Sequence, residues 1–373
     1  MGMRIVYVLT SLGMGGAERQ VLGLADRMAA RGHTVALLVL RPRVPYEWPT
    51  SHNVVHLKMR RTPLGLLVGL FQGRRFLRDF KPDVVHSHSF HANIVARLLK
   101  VVVPETIVLS TIHNVYEGGW LRMAAYRLTD FLSYRTTAVS QAAVDRFVHI
   151  EAVPQRKCIA LTNGIDTAEF VPNADSRGHT RARMDVDSEF IWIAAGRVVP
   201  AKDYPNLLAA FAQVRAIKSD AQLWIAGDAD FTASGRSARF VTKLRKGSPS
   251  GVHWLGLRRD LRDLLDAADA FVLSSAWEGM PLALGEAMAM EKPVVATDVG
   301  GVRELLWACG SLVPPKDPRA LATAMLEVMH TSEEDRSALG RTARARIQHY
   351  FNMNDKSDEW ESLYKTVCAG SRI

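Results

Sequence analysis

The chain has 373 residues, 48% hydrophobic and 23% charged, a balance that fits a soluble globular protein of two domains and excludes a disordered or low-complexity chain. The N-terminus runs from Arg4 through an apolar strand into a glycine turn without a signal-peptide pattern. The scattered Cys158, Cys309 and Cys368 indicate neither a disulfide framework nor a zinc cage, so the cytoplasm is the expected location. The formal net charge of +9 lies wholly in residues 1–172, with 21 Lys and Arg against 12 Asp and Glu, whereas 173–373 balance at 26 each.

Short apolar runs alternate with segments of helical period along the chain. Strands are expected at RIVYVLT (4–10), TVALLVL (34–40), VVHL (54–57), DVVHSH (83–88), TIVLSTIH (106–113) and RTTAVS (135–140). Between them, AERQVLGLADRMAARG and HANIVARLLK repeat apolar residues at three and four. The pattern restarts at FIWIAAG (190–196) and continues through QLWIAG (222–227), VHWLG (252–256), AFVLSS (270–275) and PVVAT (293–297). Such alternation implies parallel sheets covered by helices, that is, two Rossmann-like doubly wound α/β domains facing a central cleft. The first domain is expected over 1–172 and the second over 186–350. The polar stretch 173–185 reads as their linker, and 351–373 as a helix crossing back onto the first domain.

The densest basic segment runs from Lys58 to Lys81, where Arg60, Arg61, Arg74, Arg75 and Arg78 flank the apolar run PLGLLVGLF. A solvated helix face with an ordinary buried side explains this pattern, and so does attraction to an anionic membrane surface. Nucleic acid is not expected, because the segment carries no nucleic-acid motif or aromatic ladder.

The most specific chemistry lies in SSAWEGMPLALGEAMAMEKPVVATDVGG (274–301). A strand ends in a loop, and Glu278-Gly279-Met280-Pro281-Leu282 opens a helix whose first N–H groups make an anion site. Glu278 precedes the turn and Glu286 lies within the helix, so one suits a sugar near a phosphate and the other a ribose diol. In GRVVPAKDYPNLLAAF, Arg197 and Lys202 share one loop after a strand and suit the neutralisation of a diphosphate leaving group. Gly15 and Gly16, between the first strand and helix, permit close approach of a phosphate or sugar and positive φ; any tight strand–helix turn also wants such glycines. GMGG lacks the spacing of a nicotinamide site, which disfavours a dehydrogenase. His113 ends its strand in STIHN, and alternation puts His86 and His88 on one face of theirs. No carboxylate or cysteine adjoins this HxH, so acceptor-side lining or structure is expected there rather than a metal.

EGMPLALGEAMA, with seven residues between its glutamates, resembles the family 4 retaining glycosyltransferases of the GT-B fold. GMGGAERQ, AVSQAAVDRF, LTNGID, AAGRVVPAKDYPNLLAAF and VGGVREL extend the resemblance along nearly the whole chain. It implies a nucleotide-diphosphate sugar held mainly by the second domain and an acceptor held mainly by the first. It also implies catalytic roles for Arg197, Lys202, Glu278 and His113, the last beside the donor sugar. Donor contacts are expected from Gly15, Gly16, Glu286, Arg258, Gly279, Met280, Pro281, Leu282, Gly227 and Asp228, with His88 and Asn114 on the acceptor side. Ser274 and Trp277 are expected to shape the donor pocket. Asp228-Ala229-Asp230 looks like the metal-binding DxD of another glycosyltransferase fold. It stands where GT-B members carry GDG or GEG, and is expected to be a loop near the base without metal.

The expected function is metal-independent, retaining transfer of a hexose or N-acetylhexosamine from a nucleotide-diphosphate sugar, UDP preferred over GDP, without a further cofactor. The acceptor is expected to be a saccharide or a polyprenyl-diphosphate-linked one, used in polysaccharide or glycolipid assembly at the inner membrane face. The alternatives are a sugar-nucleotide 2-epimerase on the same fold and a non-catalytic binding protein.

Overall fold

The computed structural model describes residues 2–44, 46–60, 62–228 and 235–370. The chain divides into two compact units, one holding the chain up to 164 and again from 353, the other 165–352. Arg61, Ala229 and Asp230, singled out above, lie outside the described residues.

In the first unit the strands are β1 (Arg4–Leu9), β2 (Thr34–Val39), β3 (Asn53–His56), β4 (Val84–His88), β5 (Ile107–Ile112), β6 (Arg135–Ala138) and β7 (Cys158–Ala160). They pair in parallel in the order β3-β2-β1-β4-β5-β6-β7. β1 shows why both faces are covered. Ile5, Tyr7 and Leu9 pack with Leu24 and Met28 of the helix Gly16–Ala30 and with Trp360 and Tyr364 of the C-terminal helix Met353–Gly370. Val6 and Val8 face the opposite way, onto Leu77 of the helix Pro63–Phe80 and Val95 and Leu99 of the helix Phe90–Val102. A strand buried on both sides is apolar throughout rather than alternating, which is what RIVYVL displays.

The second unit contains β8 (Ile191–Ala195), β9 (Gln222–Ala226), β10 (Val252–Gly256), β11 (Ala270–Leu273), β12 (Val294–Thr297) and β13 (Ser311–Val313). These strands are also parallel, in the order β10-β9-β8-β11-β12-β13. Each sheet therefore grows outward in both directions from its first strand. The strand order reverses between β1 and β4 in one unit and between β8 and β11 in the other. Ligands of doubly wound sheets bind beyond the strand C-termini at such a switch point.

The segment 173–185, expected as a linker, instead forms the helix Ala174–Arg183 inside the second unit. The Asn173 side chain caps it, accepting from the N–H groups of Asp175 at 3.0 Å and Ser176 at 3.2 Å. Arg177 donates to the carbonyls of Asp266, Ala267 and Ala268 at the end of the helix Leu261–Ala267 and pairs with Asp269 at 2.6 Å. This helix docks by charge and carbonyl capping, so its sequence lacks the apolar period that reveals most helices. The chain instead passes between the units at 164/165 and 352/353.

Candidate functional site

In the second unit, the loops after β8 and β11 flank the switch point, and their backbones are tied by Ala276 N–H donating to the Ala201 carbonyl at 2.8 Å. Between these loops, Lys202 Nζ lies 2.5 Å from Glu278 Oε1. The Ser275 hydroxyl donates to the same Glu278 oxygen at 2.6 Å, and the Ser274 hydroxyl donates to the Lys202 carbonyl at 2.9 Å. Glu278 is buried, and Gly279, Met280, Pro281 and Leu282 are buried beside it. The helix Leu282–Ala289 follows directly, so its first-turn N–H groups, which have no partner within the helix, are presented at the switch point. Thr297 of β12 anchors the loop from below, donating to the Ser275 carbonyl at 2.7 Å, and Gly301 N–H donates to the Gly279 carbonyl at 2.8 Å. A cation and a carboxylate are thus held together on a braced loop pair. The arrangement suits a ligand carrying both phosphate and hydroxyl groups.

Arg197 lies exposed at the start of the same β8 loop. Gly227 follows β9 and lies against this loop: a Cβ at Gly227 would come within 1.9 Å of the Gly196 carbonyl oxygen, so only glycine permits this approach. Asp228 is engaged by Arg245 at 3.3 Å. Arg258, expected to contact a base, is held by Asp260 through two charge-assisted bonds of 2.7 and 2.5 Å. These bonds hold its guanidinium more strongly protonated than usual. Glu286 is buried in the helix Leu282–Ala289. Trp277 is half-buried in the β11 loop.

In the first unit, Gly15 caps the helix Gly16–Ala30 with φ −128° and ψ 163°. Neither Gly15 nor Gly16 adopts the positive φ allowed for in the sequence reading. The Glu18 carboxylate lies close beside Gly15: one of its oxygens would be 2.3 Å from a Cβ there. The Ser11 hydroxyl donates to that carboxylate at 3.3 Å, so a local acid fills the space beside the loop.

His86 and His88 share one face of β4, as alternation predicted, with ring centroids 4.0 Å apart. His86 is a structural residue: its Nδ1 meets the Tyr364 hydroxyl and its Nε2 the Thr111 hydroxyl, each at 2.7 Å. His88 Nδ1 meets His113 Nε2 at 3.0 Å, while His88 Nε2 is buried without a hydrogen-bond partner. Burial holds all three rings neutral, with His113 lowered to about 4 and the other two well below their ordinary value. Asn114 acts locally, its Oδ1 accepting from Tyr116 N–H at 3.2 Å. Among the described residues, no group of three or more His, Cys, Asp and Glu is placed to hold a metal.

Two residues near these groups were not anticipated. Ser275 stands three positions before Glu278, and this S-x-x-E spacing was the available signal. Glu117 lies four residues beyond His113, accepting from its N–H at 3.0 Å and from the Tyr126 hydroxyl at 2.6 Å. Burial pushes the Glu117 carboxyl up to about 7. Its signal was an isolated acid in the loop that His113 opens.

Residues 14–169 match the family model for Glycosyltransferase Family 4, and residues 189–331 the model for Glycosyl transferases group 1. The UDP-Gal:alpha-D-GlcNAc-diphosphoundecaprenol alpha-1,3-galactosyltransferase of Escherichia coli is 25% identical over 311 residues, covering 78% of this chain and 77% of that protein. A GDP-mannose-dependent alpha-mannosyltransferase of Mycolicibacterium smegmatis is 28% identical over 334 residues, covering 82% and 83%. Among solved structures, Anabaena HepE in complex with UDP-glucose superposes with a TM-score of 0.82 at 19% identity, covering 98% of this chain and 100% of that one. At that identity the likeness concerns the fold.

Proposed function

We propose that this chain is a glycosyltransferase of the GT-B fold and that it moves a hexose or N-acetylhexosamine with retention of anomeric configuration. The donor is a nucleotide-diphosphate sugar, UDP-linked in preference to GDP-linked, and the acceptor a saccharide on a polyprenyl diphosphate. The E. coli relative, named for a UDP-sugar and a diphosphoundecaprenol acceptor, supports that choice, and the GDP-mannose-dependent relative is the reason to test guanosine as well.

The carrying observation is the Lys202–Glu278 pair at the β8/β11 switch point. An ammonium has three donors, so Lys202 can hold Glu278 and a phosphate oxygen together. Arg197 and the N–H groups opening the helix Leu282–Ala289 add positive potential where the leaving diphosphate gains charge. Glu278 then accepts from donor-sugar hydroxyls and Glu286 from the ribose. As the sugar C1–O bond to phosphate breaks, the acceptor hydroxyl oxygen bonds to C1 on the same face. Its proton passes to the departing phosphate oxygen, which makes the leaving group the base and requires no metal. His113, in the first unit, is held neutral at working pH, so it can offer a hydrogen bond but no charge.

The test is turnover of UDP- and GDP-sugars with a polyprenyl-diphosphate-linked saccharide in EDTA, with the new linkage read by NMR. Acceptor-dependent release of one nucleoside diphosphate, with an α product from an α donor, is expected. An inverted linkage, or no turnover with any donor, would overturn the proposal.

A further inference from the structure

The helix Pro63–Phe80 is apolar on two sides, and only one of them is used. Its inner side, including Gly69, Leu70, Gly73 and Leu77, packs on the first unit's core. Gly69 and Gly73 allow the close seat, because a Cβ at either would strike Met59 or Leu99 within 3 Å. Leu64, Leu67, Val68 and Phe71 point outward instead, with 47–70% of their surface exposed. Spaced at i, i+3, i+4 and i+7, they form one stripe, and the exposed Arg75 and Arg78 continue it at i+11 and i+14. The exposed Lys58 and Arg60 precede the helix and the exposed Lys81 ends it. Asp79 is the one acid between Lys58 and Lys81.

A solvated helix face carries polar residues, and an ordinary core face is covered; this stripe is neither. Four large apolar side chains followed along the same line by guanidinium groups match the boundary between acyl chains and anionic headgroups. Among the described residues, no helix is long and apolar enough to cross a membrane. We propose that this helix docks the first unit on an anionic lipid surface, with Leu64, Leu67, Val68 and Phe71 entering the acyl boundary and Arg75 and Arg78 binding the headgroups. Both parts are needed, because a short apolar stripe alone binds weakly and basic residues alone are screened by salt. The inference rests on the lipid-linked acceptor proposed above only for its purpose; the surface stands without it.

The experiment is co-sedimentation of the full-length protein with vesicles of phosphatidylcholine alone or mixed with phosphatidylglycerol. Wild type, Leu67→Glu/Phe71→Glu and Arg75→Glu/Arg78→Glu are compared, all changes being on exposed positions. Wild type should bind the anionic vesicles, with weaker binding as salt rises. The apolar variant should lose at least about tenfold in partitioning, and the charge-reversed variant its preference for anionic lipid, each cation near the surface contributing about fivefold. Circular dichroism and nucleoside-diphosphate binding, unchanged in both variants, separate this result from misfolding and from failure of the transferase reading. Equal partitioning of wild type and the apolar variant would overturn the proposal. So would light scattering that shows a wild-type dimer split by that variant, which would make the stripe a contact between copies.

Discussion

Replacing Lys202 by methionine keeps the length of the side chain and removes its charge. The Glu278 carboxylate, with 9% of its side chain exposed, then retains Ser275 as its hydrogen-bond donor at 2.6 Å. Removing one member of a buried pair costs about 3–5 kcal/mol. Lys202 itself is 19% exposed, so water reaches the vacated side, and about 2–3 kcal/mol is expected. Glu278→Gln should cost about 1–2 kcal/mol, since the neutral amide still bonds to Ser275. In the double variant neither charge remains, and stability should lie within about 1 kcal/mol of wild type. The single losses sum to about 3–5 kcal/mol, so the non-additivity is about 2–5 kcal/mol. Urea unfolding followed by tryptophan fluorescence reads this for the second unit, where Trp192 and Trp224 are buried. Nucleoside-diphosphate affinity, measured in parallel by calorimetry, should fall about 10- to 100-fold in both variants lacking Lys202, as for a lost charge-assisted contact. Additive stabilities within about 0.5 kcal/mol would refute the coupling of Lys202 to Glu278, and unchanged affinity in Lys202→Met would refute its contact with the diphosphate.

Stability should vary with pH from two opposing sources. Burial lowers His86, His88 and His113 from 6.5, so their contribution is present above that value and is lost as pH falls below it, for His113 through about 4. Burial raises Glu117 from 4.5 to about 7, so its contribution is complete at low pH and lost as pH rises through about 7. Glu117→Gln should flatten the decline of Tm near neutrality and leave the acid limb; a profile identical to wild type would contradict this. Arg97→Met should destabilise the first unit by about 3–5 kcal/mol, because the wholly buried guanidinium donates to Ser110, Tyr126, Thr129 and Thr136; a shift below about 1 kcal/mol in urea unfolding would contradict it. In Gly340→Ala the new Cβ would lie 2.0 Å from the Glu291 carbonyl oxygen, so the helix Glu333–Tyr350 has to move. A loss of about 1–3 kcal/mol follows for such crowding, and an unchanged Tm would refute the packing.

Most of the fold was legible because parallel strands buried on both faces leave apolar runs that few other elements imitate. β7 and β13 were not, being three-residue edge strands at Cys158–Ala160 and Ser311–Val313 with too little sequence to show a period. The helix Ala174–Arg183 was read as linker because arginines, not apolar residues, hold it in place. At the site, the loop–EGMP–helix order was visible, but the pairing of Lys202 with Glu278 was not. These residues are 76 positions apart, and only the adjacency of β8 and β11 brings them together. The GMGG turn was read as permitting close approach of a phosphate or sugar and positive φ; Gly15 and Gly16 do not adopt positive φ. Glu117 escaped notice because a lone acid in a loop carries no pattern until Tyr126 closes on it.

The proposed transfer requires the second unit to hold a nucleoside-diphosphate sugar through its own side chains. Calorimetric titration of UDP, GDP and their sugars, with and without EDTA, on wild type and Glu286→Ala tests it most directly. Tight binding of one nucleotide series is expected, unaffected by EDTA and at least about tenfold weaker in the variant, as for loss of a hydrogen-bonded charged group. Absence of binding to every nucleotide, or binding that the variant leaves intact, would contradict it.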